Sequence, residues 1–320
     1  MSKVAILGGS GFIGTRLVEL LRAQGTDVVI GDTRESARYP ELWRRCDVSV
    51  PESLPDVLRG ADVVVNLAAE HRDDVRPVER YHEVNVRGAE VVCAACAELG
   101  IRRLVFTSSV AVYGLPDGVV SEDAACKPFN EYGRTKLLAE DVYRSWGSAD
   151  PTRSLVIVRP TVVFGEGNRG NVYNLLRQIN SGRFLMVGDG QNRKSLAYVG
   201  NVAAFLVHTL HADPGLHLFN YADGPDFDMN SLTSEAASRM GVKLPRFRVP
   251  FSAGYALGSA LDVAARFTRR SFALSAVRVR KFCASTQFSA ERAFAFGFRP
   301  RVSLTDALAR VIRADFPEAR

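Results

Sequence analysis

The feature that most constrains this chain is an apolar run that breaks into glycines and restarts as a helix. Lys3-Val4-Ala5-Ile6-Leu7 has the character of a short strand buried on both faces. Gly8-Gly9-Ser10-Gly11-Phe12-Ile13-Gly14 follows at once, and Thr15 to Leu21 takes up helical periodicity. Gly9, Gly11 and Gly14 fit G-x-G-x-x-G, while Gly8, Gly11 and Gly14 fit the looser G-x-x-G-x-x-G. Such a turn lets backbone approach a pyrophosphate closely and lets the helix pack tightly on the strand. The helix start then offers unpaired N–H groups and a positive dipole end to phosphate oxygens.

Glycines alone would serve any tight strand-to-helix connection, so the neighbourhood decides. Val28-Val29-Ile30-Gly31 reads as the second strand and ends at Asp32, about 20 residues beyond the glycines, where an acid can bind an adenosine ribose. A carboxylate there repels a 2′-phosphate and favours NAD over NADP, a preference tempered by Arg34 and Arg38 close by. Trp43 to Val48 reads as a short third strand with Asp47 near its end. Asp47 is open to two readings, an adenine contact or a simple turn acid.

Composition excludes several classes. The 320 residues are 47% hydrophobic and 24% charged, as in a soluble globular protein. The net charge of +6 is spread along the chain apart from a C-terminal concentration, and suits anionic small ligands at least as well as nucleic acid. Cys46, Cys93, Cys96, Cys126 and Cys283 are scattered. Cys93 and Cys96 form C-x-x-C within an Ala-rich helical stretch with no second Cys/His pair nearby, so buried structural thiols in a reducing compartment are expected, and no metal. The chain opens on its first strand and holds no uninterrupted apolar run of about 18 residues, so the expected place is the cytoplasm, without a membrane span.

Strands and helices alternate from there. A short helix at Pro51–Arg59, a buried strand at Ala61–Ala69, a long helix over 79–99 containing Asn85, a strand at Ile101–Phe106 running into Thr107-Ser108-Ser109, a loop with Asp117-Gly118, a helix from Glu131 to Trp146 and a strand at Leu155–Pro160 follow in order. This alternation dictates an α/β fold with a doubly wound parallel sheet. Residues 1–165, with 197–222 returning to them, form the expected dinucleotide domain; 166–196 and 223–320 form a smaller α/β substrate lobe. Within that lobe 250–282 combines an apolar stretch with Arg266, Arg269, Arg270, Arg278, Arg280 and Lys281. A basic amphipathic helix can lie on a membrane, but arginines facing solvent or an anionic substrate are the preferred reading, and membrane association is not expected.

Asn130-Glu131-Tyr132-Gly133-Arg134-Thr135-Lys136 carries Tyr-x-x-x-Lys. Residues four apart share a helix face, so phenol and ammonium can meet in one pocket. A phenol of pKa about 10 is a poor base at neutral pH; a nearby Lys⁺ and the positive ring of an oxidised nicotinamide would both favour phenolate. Tyr132 follows Ser109, at a strand's C-terminal end, by 23 residues. Ser109 can hydrogen-bond the same reacting oxygen.

With these residues in place, the sequence resembles the extended short-chain dehydrogenase/reductases, in their nucleotide-sugar epimerase/dehydratase branch. The resemblance rests on Gly8–Gly14, Asp32, Leu67-Ala68-Ala69, Ser108–Gly114, Tyr132–Lys136 and Arg159–Gly165, close over residues 1–202 and loose beyond. It implies Tyr132 as acid/base, Lys136 on the cofactor ribose, and Ser109 on the sugar oxygen. It places NAD against Gly8, Gly11, Phe12, Ile13 and Gly14, with Asp32, Asp47 and Val48 around the adenosine. Leu67, Ala68, Ala69 and Asn85 line the cofactor further along, and Pro160 sits against the nicotinamide. Asn171 and Lys194 fall where a nucleoside diphosphate would lie, and Arg278 or Arg280 could supply a second phosphate contact. Lys194 stands where many members have Arg, which keeps charge but loses bidentate geometry. A homodimer is implied by the resemblance alone.

The resemblance also fails at one point. Related dehydratases carry an acid just after the Ser/Thr position; here Val110 and Ala111 stand there and cannot transfer protons. The expected activity is therefore NAD-dependent epimerisation of a nucleoside-diphosphate hexose at C4 through a 4-keto sugar. A 4-ketosugar reductase using the same residues once is the alternative. A catalytically silent nucleotide sensor, or a lipid or steroid dehydrogenase, ranks below.

Overall fold

The structure, a computed structural model, describes residues 3–72, 75–115, 118–268 and 275–317, with the side chains of 263–268 outside the description. Asp117, Arg269, Arg270 and the side chain of Arg266 thus lie outside the described residues.

The first half builds one sheet. β1 (Lys3–Leu7), α1 (Phe12–Ala23), β2 (Asp27–Asp32), β3 (Trp43–Arg45), α2 (Pro55–Leu58), β4 (Val63–Asn66), α3 (Glu79–His82), α4 (Gly88–Glu98), β5 (Arg103–Thr107), β6 (Val119–Val120), α5 (Glu131–Ser148) and β7 (Ser154–Pro160) follow in chain order. The expected helix over 79–99 is interrupted: a π-turn at Glu83–Arg87 separates α3 from α4 and contains Asn85. The second half supplies β8 (Val162–Phe164), α6 (Asn171–Asn180), β9 (Met186–Val187), β10 (Arg193–Tyr198), α7 (Val199–Thr209), β11 (Gly215–Tyr221), β12 (Asp223–Asp228) and α8 (Met229–Met240). It ends with β13 (Arg248–Val249), α9 (Phe251–Thr268), α10 (Ala276–Cys283), β14 (Gln287–Phe288), α11 (Glu291–Ala295) and α12 (Leu304–Asp315).

Seven parallel strands lie in the order β11-β7-β5-β4-β1-β2-β3. The order reverses between β1 and β4, which opens a crevice at their C-terminal ends where such sheets bind ligands. Apolar side chains explain the layering. Leu17, Val18 and Leu21 of α1 and Val202, Phe205 and Leu206 of α7 pack on one face with Val4 and Ile6. Val57 and Leu58 of α2, Val92 and Cys96 of α4, and Ala139, Tyr143 and Trp146 of α5 pack on the other face with Ala5 and Leu7. With both faces covered, β1 and β4 carry unbroken apolar runs rather than alternation.

Outside this sheet, β8, β10 and β12 form a small sheet in the order β12-β10-β8. It shares a separate core with α6, α8 and α12 through Phe164, Leu176, Leu196, Leu232 and Leu308. β14 pairs with β6, so the end of the chain returns to the loop that follows Ser109. β11 returns to the main sheet as the sequence implies, and we propose the division into a 1–165 plus 197–222 unit and a lobe on these two cores.

Candidate active site

The glycine turn is built by close approaches. Gly8 has φ +76°, and a Cβ there would lie 2.6 Å from Ala68 N, so the turn is pressed against the strand end at Leu67-Ala68-Ala69. A Cβ at Gly14 would lie 2.6 Å from Gly9 Cα, which fixes α1 against the turn. At Gly11 an added Cβ would meet only Gly8 O, at 3.1 Å, leaving that side open for a phosphate group. No side chain caps α1 and its first turn holds no acid, so its N–H groups stay available for an anion. Asp32 adjoins them: its Oδ2 accepts from Ser10 N at 3.1 Å and its Oδ1 from Arg34 N at 3.1 Å. Arg38 is held by Glu19 at 2.7 Å, so one of the two cations that tempered the NAD preference is committed elsewhere. Asp47 Oδ1 accepts from both the N and Oγ of Ser49, the geometry of a turn acid, with Val48 buried beside it.

α5 carries the reacting groups. Asn130 caps it by accepting from Gly133 N at 2.9 Å, which orders the first turn around Tyr132. Gly133, Lys136, Glu140 and Tyr143 lie on the buried stripe, at the spacing that faces the sheet. A Cβ on Gly133 would fall 2.4 Å from Ala111 O, so only glycine lets α5 approach the turn Val110–Tyr113 this closely. That approach brings the Tyr132 and Ser109 side chains together. Ser109 is itself fixed, its Oγ accepting from Ala111 N at 3.1 Å at the start of the turn. Val110 and Ala111 place no acid beside Ser109, in keeping with the sequence argument against dehydration.

The electrostatics differ in one respect from expectation. Burial pushes the Tyr132 phenol above its ordinary value, against the hydrogen bond with Ser109. Burial also pushes Lys136 down to about 7, with Glu140 opposing the shift. Lys136 Nζ lies 4.2 Å from the Phe106 ring centroid. In the chain alone desolvation outweighs the other influences on both groups, raising Tyr132 and lowering Lys136.

Beneath them runs a buried polar chain that the sequence reading did not anticipate. Ser108 Oγ donates to Glu140 Oε1 at 2.5 Å, and Arg159 Nε and Nη2 donate to Glu140 Oε1 and Oε2 at 2.8 and 2.6 Å. Arg159 Nη1 donates to Tyr113 Oη at 2.6 Å, and Tyr113 Oη donates to Asn220 Oδ1 at 2.8 Å. The available signal was a charge inside the apolar run Leu155–Pro160, which stays buried only when paired. Asn85, expected on the cofactor, spends its amide internally: Oδ1 accepts from Glu70 N at 2.9 Å and Nδ2 donates to Glu70 O and Thr135 Oγ1. It ties the loop after β4 to α5.

The expected substrate residues are dispersed. Asn171 opens α6 and is exposed. Lys194 Nζ donates to Lys281 O and Ala284 O at 2.8 and 2.5 Å, closing the C-terminal end of α10, and burial lowers it to about 8. Arg278 lies exposed in the first turn of α10. Pro160 is buried at the C-terminal end of β7. All five cysteines are free, with Cys93 and Cys96 buried and their thiols pushed up by burial. Among the described residues no cluster could hold a metal ion.

The cofactor test is met by orphaned hydroxyls. Ser10 Oγ in the glycine turn, Thr107 Oγ1 at the end of β5 and Thr161 Oγ1 just beyond β7 are buried without a hydrogen-bond partner. All three sit at the C-terminal ends of parallel strands, where a polar ligand would satisfy them. The sheet, the turn and the Ser109–Tyr132–Lys136 face together define a dinucleotide-dependent enzyme of the extended short-chain dehydrogenase/reductase type.

Comparison with known proteins agrees. The profile of the NAD dependent epimerase/dehydratase family matches residues 4–221, and the chain belongs to that family. The chain is 44% identical over 319 residues, 99% of its length and 96% of the relative's, to an N-acetyl-alpha-D-glucosaminyl-diphospho-ditrans,octacis-undecaprenol 4-epimerase of Escherichia coli O157:H7. It is 28% identical over 261 residues, 77% of this chain and 78% of the relative, to a UDP-glucose 4-epimerase of Vibrio cholerae. A solved structure, MoeE5 in complex with UDP-glucose and NAD, superimposes with a TM-score of 0.77 at 27% identity over 100% of each chain. NAD is the cofactor these findings support.

Proposed function

We propose that this chain interconverts the C4 epimers of a hexose carried on a diphosphate, and that the sugar is an N-acetylhexosamine on a polyprenyl carrier. The observation that carries the reaction is the juxtaposition of the Ser109 and Tyr132 side chains, with Lys136 one turn further along the same helix. Bound NAD⁺ would supply a reversible hydride acceptor, held by the Gly8–Gly14 turn, Asp32 and Lys136. Tyr132 takes the proton from the C4 hydroxyl and returns it once the sugar has presented its other face. Ser109 steadies O4 throughout, because its own hydroxyl is fixed by Ala111 N. The buried Arg159–Glu140 pair holds the strand and helix that carry these groups in register.

The carrier is argued from likeness across nearly the whole chain to the lipid-linked 4-epimerase. A nucleoside diphosphate is the second reading, favoured by the UDP-glucose in the MoeE5 structure. Among the described residues no helix is long and apolar enough to cross a membrane. We place the reaction on the cytoplasmic side, where the five free thiols are stable, and expect a homodimer.

The test supplies purified protein, without added cofactor, with N-acetylglucosamine on diphospho-undecaprenol and separately with UDP-N-acetylglucosamine. Conversion of the lipid-linked sugar to its C4 epimer supports the proposal. Conversion of the UDP-sugar alone moves the chain to the second reading, and a stoichiometric demand for reduced cofactor would make it a ketoreductase.

A further inference from the structure

Over Phe251–Leu257, α9 turns its large side chains outward and buries Gly254, as it buries Gly258. From Phe251 to Leu261 the helix carries no charged side chain. Gly254 and Gly258, four apart and both buried, form its inner face. A Cβ on Gly254 would lie 2.9 Å from Val187, and one on Gly258 2.7 Å from Ala276 N, so α9 is pressed tightly against its neighbours there. Its outer face shows Phe251, Tyr255 and Leu257 at 45%, 42% and 55% exposure, the two rings stacked at 5.8 Å. Phe247 and Val277 flank it at 68% and 58%. Five of the fourteen exposed large hydrophobics among the described residues thus fall within Phe247–Val277, which is clustering rather than scatter.

The chain segments that build this face carry mostly positive charge, with Asp189 beside Arg248 an exception. Lys243, Arg246, Arg248 and Arg280 are exposed around it. Across the described residues 241–262 and 275–283 the single acid is Asp262, whose Oδ2 already accepts from Ala276 N at 3.0 Å. An apolar helix face within cation-rich segments matches an anionic bilayer surface, with aromatic and leucine side chains entering the headgroup boundary. The alternative, arginines serving only solvent or a soluble anion, leaves the outward Phe251, Tyr255, Leu257 and Phe247 unexplained.

The neighbouring helix α10, packed against α9, also reaches toward the helix that carries the reacting groups. Lys281 of α10 lies over the Phe129 ring at 4.6 Å, and Phe129 precedes the cap of α5, three residues before Tyr132. Lys194 joins the same end of α10 to β10. We propose that the outer face of α9, with Phe247 and the surrounding lysine and arginines, docks this protein on the surface of an anionic phospholipid bilayer. Docking sets the active-site lobe at the bilayer. The surface stands whether the carrier of the sugar is a lipid or a nucleotide.

The test is co-sedimentation of the full chain with phosphatidylcholine vesicles, with and without phosphatidylglycerol. Binding to the anionic vesicles, weakened by salt and lowered about tenfold or more in a Phe251→Ser, Tyr255→Ser, Leu257→Ser variant, is expected. These positions face outward, so circular dichroism and turnover of a short-chain, water-soluble diphospho-sugar should be unchanged. Failure of the wild-type chain to bind anionic vesicles overturns the proposal. So does a fall in oligomer size on making the variant, which would assign the face to a second copy of the chain. Neither result bears on the epimerase reading, which the soluble substrate tests separately.

Discussion

Arg159 grips Glu140 through two hydrogen bonds, 2.8 Å from Nε and 2.6 Å from Nη2, where the side chains are 3% and 0% exposed. The pair joins β7 to α5 one turn beyond Lys136. A fully desolvated ion pair gives little net stability, but removing one partner strands the other charge. Arg159→Met should therefore destabilise the fold by about 3–5 kcal/mol, read by urea denaturation. Combining Arg159→Met with Glu140→Leu should recover much of that loss; equal destabilisation would show that the pair's own attraction dominates.

Gly133 is the position where α5 touches the turn that holds Ser109. Gly133→Ala puts a methyl against Ala111 O, a backbone atom that cannot swing aside. The helix must move by a fraction of an ångström, and displacement of that order costs about 10²-fold in rate. NAD binding should change little, while stability should fall by about 1–3 kcal/mol, the cost of overpacking. Unaltered turnover in a folded Gly133→Ala protein would contradict the positioning role.

Lys136 gives a pH signature with a definite sign. Its folded pKa of about 7 lies below the unfolded value, so between these values the unfolded chain binds the extra proton. Stability contributed by this group is thus lowest below pH 7 and rises with pH above it. Buried cysteines oppose the trend above about pH 9, because their raised folded values make the unfolded chain lose protons first. The comparison belongs between about pH 7 and 8.5, without cofactor. The wild-type unfolding free energy should climb more steeply there than that of Lys136→Met; parallel slopes would refute the burial of a titrating amine.

Asp32 accepts from two backbone N–H groups and sits where an adenosine ribose would lie. Asp32→Ala should weaken NAD binding by about 10- to 100-fold, the loss of a charged hydrogen-bond acceptor. NADP binding should weaken less or improve, since the repelling carboxylate is gone. Titration of both dinucleotides checks this, and an unchanged ratio of affinities would remove Asp32 from the discrimination.

The parts legible in sequence are those whose logic is local. The glycine turn, Asp32 and Tyr132–Lys136 announce themselves because turn, strand end and helix face are set by neighbours a few residues away. The doubly wound order of the sheet followed from the alternation of elements. The internal partners of Asn85, Lys194 and Arg159 could not be read from sequence because they are distant: Thr135 is 50 residues from Asn85, and Ala284 is 90 from Lys194. A resemblance can give such residues a ligand when the fold has already given them a neighbour. The outward face of α9 was hidden for the same reason, since only packing shows that Gly254 and Gly258 take the inner side.

The central claim is that one hydride leaves and returns to the same carbon while Tyr132 moves the hydroxyl proton. The most direct measurement uses a diphosphate-linked N-acetylhexosamine deuterated at C4, incubated in ordinary water with wild-type protein and with Tyr132→Phe, no cofactor being added. Both epimers should retain deuterium at C4 with the wild type, and the variant should turn over about 10²–10⁴-fold more slowly. Loss of the label to solvent, or near-normal turnover by Tyr132→Phe, would contradict the account.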